Sequence, residues 1–155
     1  MSYYRKILPG LIIFFSLVPK LSYATLGEDV SSIHNDNKVL ASTVSQVVTR
    51  TSPQTNNYQT SIISTPDNLT IKEYSANGKV FAISWVGSKY PNFKQLLGNY
   101  FSQLKTAKKF SGGFSSSQLN GNDFVFRMSG LPGILSGFAY VNSLVPDDVN
   151  INEVK

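Results

Sequence analysis

"IKEYSANGKVFAISWVG", Ile71 to Gly87, is the stretch that decides how this chain folds. Two apolar runs meet at Asn77-Gly78, and both central residues of a two-residue type I′ turn need positive φ, which Asn and Gly tolerate best. The stretch therefore predicts a β-hairpin with strands over Leu69 to Ala76 and Lys79 to Val86. A regular ladder from that turn pairs Ala76 with Lys79, Tyr74 with Phe81, Lys72 with Ile83 and Thr70 with Trp85. Alternation then sends Tyr74, Phe81, Ile83 and Trp85 to one face. Leu69, Ile71, Glu73, Val80, Ala82, Ser84 and Val86 go to the other. Both faces are apolar enough to need cover.

Working outward, "YQTSIIS" (Tyr58 to Ser64) reads as a strand, and "TPDN" (Thr65 to Asn68) as a turn with Pro66 preset for its second position. Downstream, Phe93, Leu96, Leu97, Tyr100, Phe101 and Leu104 recur at i, i+3, i+4, i+7, i+8 and i+11, which predicts an amphipathic helix from Pro91 to Lys108. Pro91 suits its first position, and Lys105, Lys108 and Lys109 complement the macrodipole at its end. Gly98 lies beside the apolar stripe, a cost of about 1 kcal/mol relative to Ala in a helix interior.

Nearer the start, Ile33, Leu40, Val44, Val47 and Val48 suit one face of a second helix over Ser31 to Val48. "TSPQTNN" (Thr51 to Asn57) is a polar loop, and "SGGFSSSQLNGN" (Ser111 to Asn122) a flexible connection. "DFVFRMS" (Asp123 to Ser129) and "SGFAYVN" (Ser136 to Asn142) are two late strands separated by the turn residues of "GLPGIL", and "VPDDVN" opens a polar tail. The expected fold class is α+β: one small domain, with an antiparallel sheet around the Asn-Gly hairpin, one long amphipathic helix packed on it, and an N-terminal helix.

The first 24 residues stand apart from this fold. Arg5 and Lys6 form a basic start, Ile7 to Val18 a short apolar run, and "PKLSYA" ends with Ser22 and Ala24 at the positions a signal peptidase reads. A membrane span needs about 20 apolar residues. This run is broken by Pro9 and Gly10 and closed by Pro19 and Lys20. Residues 1–24 are therefore expected to be a cleavable signal, and residues 25–155 a single exported domain, periplasmic or secreted, with no stable membrane insertion after cleavage.

Loss of Arg5, Lys6 and Lys20 takes the basic residues from 14 to 11 against 9 acidic ones, and the net charge from +5 to +2. "KTAKK" (Lys105 to Lys109) is the one basic cluster, too little for a nucleic-acid stripe. The chain has no cysteine. That excludes disulfides, thiol catalysis and thiolate metal sites.

Few residues can carry chemistry. His34 is the only histidine; a triad would need a nucleophile beside it and a zinc site two or three further ligands that the chain mostly lacks, so a solvated polar role at a helix start is expected, with a weak metal contact through its neighbours Glu28, Asp29 and Asp36 as the alternative. Glu73 sits among small and apolar neighbours and would need a partner if covered. As a general acid or base it lacks an evident second carboxylate, Asp67, Asp123, Asp147 and Asp148 being candidates by elimination. Tyr74, Phe81 and Trp85 form either core or a platform for sugar rings or a peptide. The candidate ligand or partner surface is therefore Glu73, Tyr74, Phe81 and Trp85, with no metal and no cofactor expected. "NLT" (Asn68 to Thr70) matches a glycosylation sequon by chance, and "SGGFSSS" lacks the spacing of a phosphate-binding loop.

"TLG" at Thr25, "IKEY", "NGKVFAISWVG", "PNFKQLLGNYF" and "SGFAYV" together resemble a family of small exported proteobacterial proteins, domain of unknown function 2844. The likeness lies in an acidic-Tyr pair, here Glu73 and Tyr74; in a strand with Val80, Phe81, Trp85 and Gly87; and in a helix with Leu96, Leu97, Gly98, Tyr100 and Phe101. Lys72 departs from it, where arginine is expected, and so does Asn92, where an Asp is commoner at the helix start. The resemblance implies export and a shared fold and supplies no activity. Together with the signal and the lack of a catalytic constellation, it leads to a non-enzymatic accessory or binding protein of the envelope, with an envelope protein or polymer as partner. The alternatives are an envelope hydrolase using Glu73, and a structural subunit of an envelope assembly.

Overall fold

A computed structural model describes residues 26–32, 43–51, 57–106 and 117–154. Among these residues seven antiparallel strands form one sheet: β1 (Thr43–Thr51), β2 (Asn57–Ser64), β3 (Thr70–Ala76), β4 (Lys79–Gly87), β5 (Ser117–Asn120), β6 (Phe124–Leu131) and β7 (Ile134–Val141). Their spatial order is β1-β2-β3-β4-β7-β6-β5. The sheet is thus two antiparallel meanders joined between β4 and β7, with the helical segment connecting them.

The turn between β3 and β4 has Asn77 at φ 52° and Gly78 at φ 75°. Ala76 pairs with Lys79 and Ser75 with Val80, but Tyr74 then pairs with Ala82, Glu73 with Ile83, Lys72 with Ser84 and Ile71 with Trp85. Phe81 is the extra residue of a β-bulge, so the register expected beyond Ser75 is corrected by one. A shift of one residue exchanges every side chain between faces. Ile83 and Trp85 consequently share a face with Ile71, Glu73 and Val80, while Phe81 and Ala82, consecutive in sequence, both join Tyr74 on the opposite face.

The bulge falls where β4 changes its second neighbour. Up to Val80 that neighbour is the N-terminal segment: Gly27 N–H donates to Val80 O, Val80 N–H to Glu28 O and Val30 N–H to Gly78 O. From Ala82 onward it is β7.

One face is covered by the helical segment. Its first helix, α1 (Phe93–Leu97), starts at Asn92, whose side chain accepts from Gln95 N–H at 3.3 Å. Gly98, at φ 48°, interrupts it, a 3-10 turn spans Gly98–Tyr100, and α2 (Phe101–Thr106) follows. Left-handed backbone is open to glycine and costly for other residues, so the chain can bend here while its apolar stripe stays on the sheet. Leu96, Leu97 and Leu104 are buried against Ile71, Ile83, Trp85, Phe124 and Phe126, with Phe93, Tyr100 and Phe101 packed beside them. Leu26 joins this layer and donates its N–H to Leu96 O at 2.9 Å.

Among the described residues, the opposite face is covered over one half only. Tyr74, Phe81, Ala82, Val125, Phe138 and Tyr140 form a second buried cluster, closed by Val149 and Val154 with Val145 and Ile151 beside them. The segment expected to be a polar tail therefore supplies the cover for the aromatic face. Asp123 pins its start, accepting from Ser143 N–H and Ser143 Oγ, each at 2.7 Å.

Two further expectations change. Thr43 to Val48, expected to end an N-terminal helix, belong to strand β1, in keeping with the β-branched Thr43, Val44, Val47, Val48 and Thr49. The rest of that expected helix, residues 33–42, lies outside the described residues. Ser117 to Asn120, expected within a flexible connection, form β5 along β6.

Candidate functional site

The four residues singled out in the sequence are all buried: Glu73 and Phe81 at 0 % exposure, Tyr74 and Trp85 at 3 %. The bulge also regroups them. Glu73 and Trp85 lie on the helix side of the sheet, and Tyr74 and Phe81 beneath the C-terminal segment. Trp85 stacks edge-on with Phe93 at 5.2 Å and lies 5.4 Å from Phe126, and Phe81 meets Tyr58 edge-on at 6.0 Å. In this packing they present almost no ring surface to a ligand.

Glu73 pairs with Ser61 on β2 and Ile83 on β4. Its side chain is engaged within the fold. The carboxylates considered as its companions are employed elsewhere. Asp67 sits in an exposed turn, where Thr65 Oγ1 donates to it and Lys89 lies 3.7 Å away. Those contacts hold its carboxyl below the usual range, the Thr65 hydrogen bond first. Asp123 caps the turn after β7, and Asp147 and Asp148 are exposed in the C-terminal segment on the other side of the sheet. His34 lies outside the described residues. Among the described residues no group of three His, Cys, Asp or Glu could hold a metal ion.

Where the C-terminal segment ends, the second face opens as a groove of about 470 Å³. Small-molecule sites fall in the range of about 300–1,000 Å³. The corrected register builds it in rows. Lys72 on β3 pairs with Ser84, Ser84 with Phe138, and Phe138 with Arg127 on β6. One step further along the strands, Thr70, Val86, Ser136 and Ser129 form a second row. Neighbouring strands are about 4.8 Å apart, so the backbones at Lys72 and Arg127 stand about 14 Å from each other.

Phe138 floors the first row, its ring fixed by Tyr74 at 6.3 Å and Tyr140 at 5.6 Å. Tyr74 reaches the row too, its hydroxyl 3.2 Å from Ser84 Oγ. Ser129 and Ser136 hydroxyls are 3.2 Å apart in the second row. Among the described residues, Lys72 and Arg127 are the cations of the lining, and none of the lining residues is a carboxylate. Neither is in an ion pair among the described residues. Two cations facing one concave surface, with hydroxyl donors between them and no acid to neutralise them, favour an anion.

Sequence reasoning passed over both cations because it sought clusters. The available signal was Arg127 between Phe126 and Met128, and Lys72 between Ile71 and Glu73. Arg127 is the single charge of β6, and Lys72 the single charge that β3 directs to this face, Glu73 facing the helix side. Only the cross-strand register brings them into one row.

Fold and groove define a small α+β protein whose antiparallel sheet is covered by a helical segment on one face and, among the described residues, half-open on the other. The chain belongs to the family described as protein of unknown function (DUF2844), which it matches over residues 22–154. No curated protein and no solved structure matches it.

Proposed function

We propose that this is an exported, non-enzymatic accessory protein of the envelope that binds an anionic ligand in the half-open groove. The observation that carries the reading is the row Lys72-Ser84-Phe138-Arg127, which aligns two cations with a hydroxyl and an aromatic floor and includes no acid. The sequence supports export through the basic start, short apolar run and Ser22/Ala24 ending of the first 24 residues. A binding role is favoured over hydrolysis because the described lining residues include neither a carboxylate nor a histidine to act as general acid or base. Glu73 points to the helix side, away from it.

Trp85 is the only tryptophan and borders the groove, which makes its fluorescence a reporter of binding. The test titrates the purified protein with pairs that differ in charge, glucuronate against glucose and octanoate against octanol. The charged member of at least one pair binds more tightly. A Lys72→Gln/Arg127→Gln double variant weakens that binding by about tenfold or more, since hydrogen bonds to charged groups contribute about 1.5–3 kcal/mol each. Lys72→Arg retains it. Equal binding of charged and neutral partners, or a double variant that binds as well as the parent, overturns the reading.

A further inference from the structure

The half-open face changes character along its strands. On β6 and β7 the paired residues directed to it run from Val125 and Tyr140, through Arg127 and Phe138 and then Ser129 and Ser136, to Leu131 and Ile134 at the hairpin tip. The first pair is buried beneath the C-terminal segment; Leu131 is 69 % and Ile134 59 % exposed. Val86, 45 % exposed, stands beside Ser136 on β4. Arg127 and Leu131 are four residues apart, a backbone distance of about 13 Å along a strand. From the cationic row outward the face therefore passes through hydroxyls to uncovered aliphatic side chains.

We propose that the groove takes a single amphiphilic anion, its charged head held between Lys72 and Arg127 and its aliphatic chain running over Ser129 and Ser136 to Val86, Ile134 and Leu131. This rests on the anion-binding reading above and narrows it. An acidic polymer would be met by cations repeated along its path. Here the two cations belong to one row, and the segment from Ser129 to Ser136 carries no charge at all. The Ser129 and Ser136 hydroxyls face each other at 3.2 Å, so a methylene chain crossing this row need not leave either without a partner. Beside them Val86, and beyond them Leu131 and Ile134, expose large aliphatic side chains to water. An aliphatic chain laid along them would remove that apolar surface from solvent.

The experiment titrates the purified protein with dodecanoate below its micellar concentration, octanoate, butanoate and dodecyl maltoside, and in parallel sediments it with phosphatidylglycerol vesicles. Affinity rises with chain length at equal charge, by up to about fourfold per methylene that is buried, so dodecanoate exceeds butanoate by at least about tenfold. Dodecyl maltoside, with the same chain and no charge, binds more weakly than dodecanoate. Ile134→Gln and Leu131→Gln alter exposed side chains that the core does not need; they flatten the chain-length dependence and leave the butanoate affinity unchanged. Anions that bind with no dependence on chain length refute the amphiphile and leave anion binding standing, whereas no binding of any anion refutes both. Sedimentation with vesicles without binding of the monomers refutes the groove-bound amphiphile and makes the tip a membrane contact instead.

Discussion

Gly137 shows how tightly single residues constrain this sheet. A Cβ there would meet Trp85 Cζ2 at 2.1 Å and the Arg127 carbonyl oxygen at 2.8 Å, and neither the indole, wedged between Phe93 and Phe126, nor the ladder can give way easily. Gly137→Ala is expected to cost about 2 kcal/mol or more, in the upper part of the range for overpacking. An unchanged urea midpoint would contradict that packing.

Tyr100 offers a test by pH. Burial, then Asp123 and Glu28, raise its phenol above the ordinary value of 10.0. The folded state thus holds the proton more firmly than the unfolded state. The stabilisation is complete below pH 10 and is lost as pH rises through the folded pKa. Alkaline denaturation of Tyr100→Phe should lack this component; an identical pH profile in the variant and the parent would count against it. The residue-scale surprise was Glu73. Its burial and its face, shared with Ile71 and Val80, were foreseeable from its neighbours, but the bulge brings Ile83 and Trp85 beside it in place of Ala82 and Ser84.

Among the elements, the ends of the hairpin were legible and its middle was not. Asn77-Gly78 states its own dihedral angles, so the turn and the pairing of Ala76 with Lys79 follow from local chemistry. The bulge at Phe81 answers a non-local demand, the exchange of the N-terminal segment for β7 along β4, and no short-range pattern announces it. The helix shows the same division. Its stripe predicts which side chains face the sheet, whereas Gly98, read as a tolerated helical glycine, adopts φ 48° and bends the segment. Gly98→Ala should therefore cost about 1–2 kcal/mol, the penalty for an L-residue in left-handed backbone. A gain in stability, as expected for Gly→Ala inside a regular helix, would show that the bend is absent. Strands β1 and β5 were missed for a related reason. The Ser, Gln and Asn of β5 read as loop until β6 offers its hydrogen bonds, and Val44, Val47 and Val48 of β1 fit a helical stripe until β2 does.

At the scale of the whole molecule, the two faces of the sheet divide the labour. Among the described residues, the helix side is core from Ile63 on β2 to Phe126 on β6, and the other side is core only as far as the C-terminal segment reaches. Val149, Ile151 and Val154 are spaced too irregularly to read as a helix or strand, which is why the segment passed for a polar tail. Removing residues 147–155 uncovers Tyr74, Phe81 and Tyr140 and should destabilise the fold by about 3 kcal/mol or more, with new binding of a hydrophobic dye. A truncated chain as stable as the parent would show that the segment is not part of the core. The same segment sets where the groove begins. The groove itself was hidden in the sequence because its row takes one residue from each of four strands.

The most direct test of that row is a residue-resolved one. Amide chemical shifts of the purified protein, titrated with octanoate, should move first and most at Lys72, Ser84, Phe138 and Arg127, with the helical segment from Phe93 to Thr106 unaffected. Shifts that concentrate on the helix side, or that spread evenly over the chain without saturating, would contradict an anion-binding groove on the half-open face.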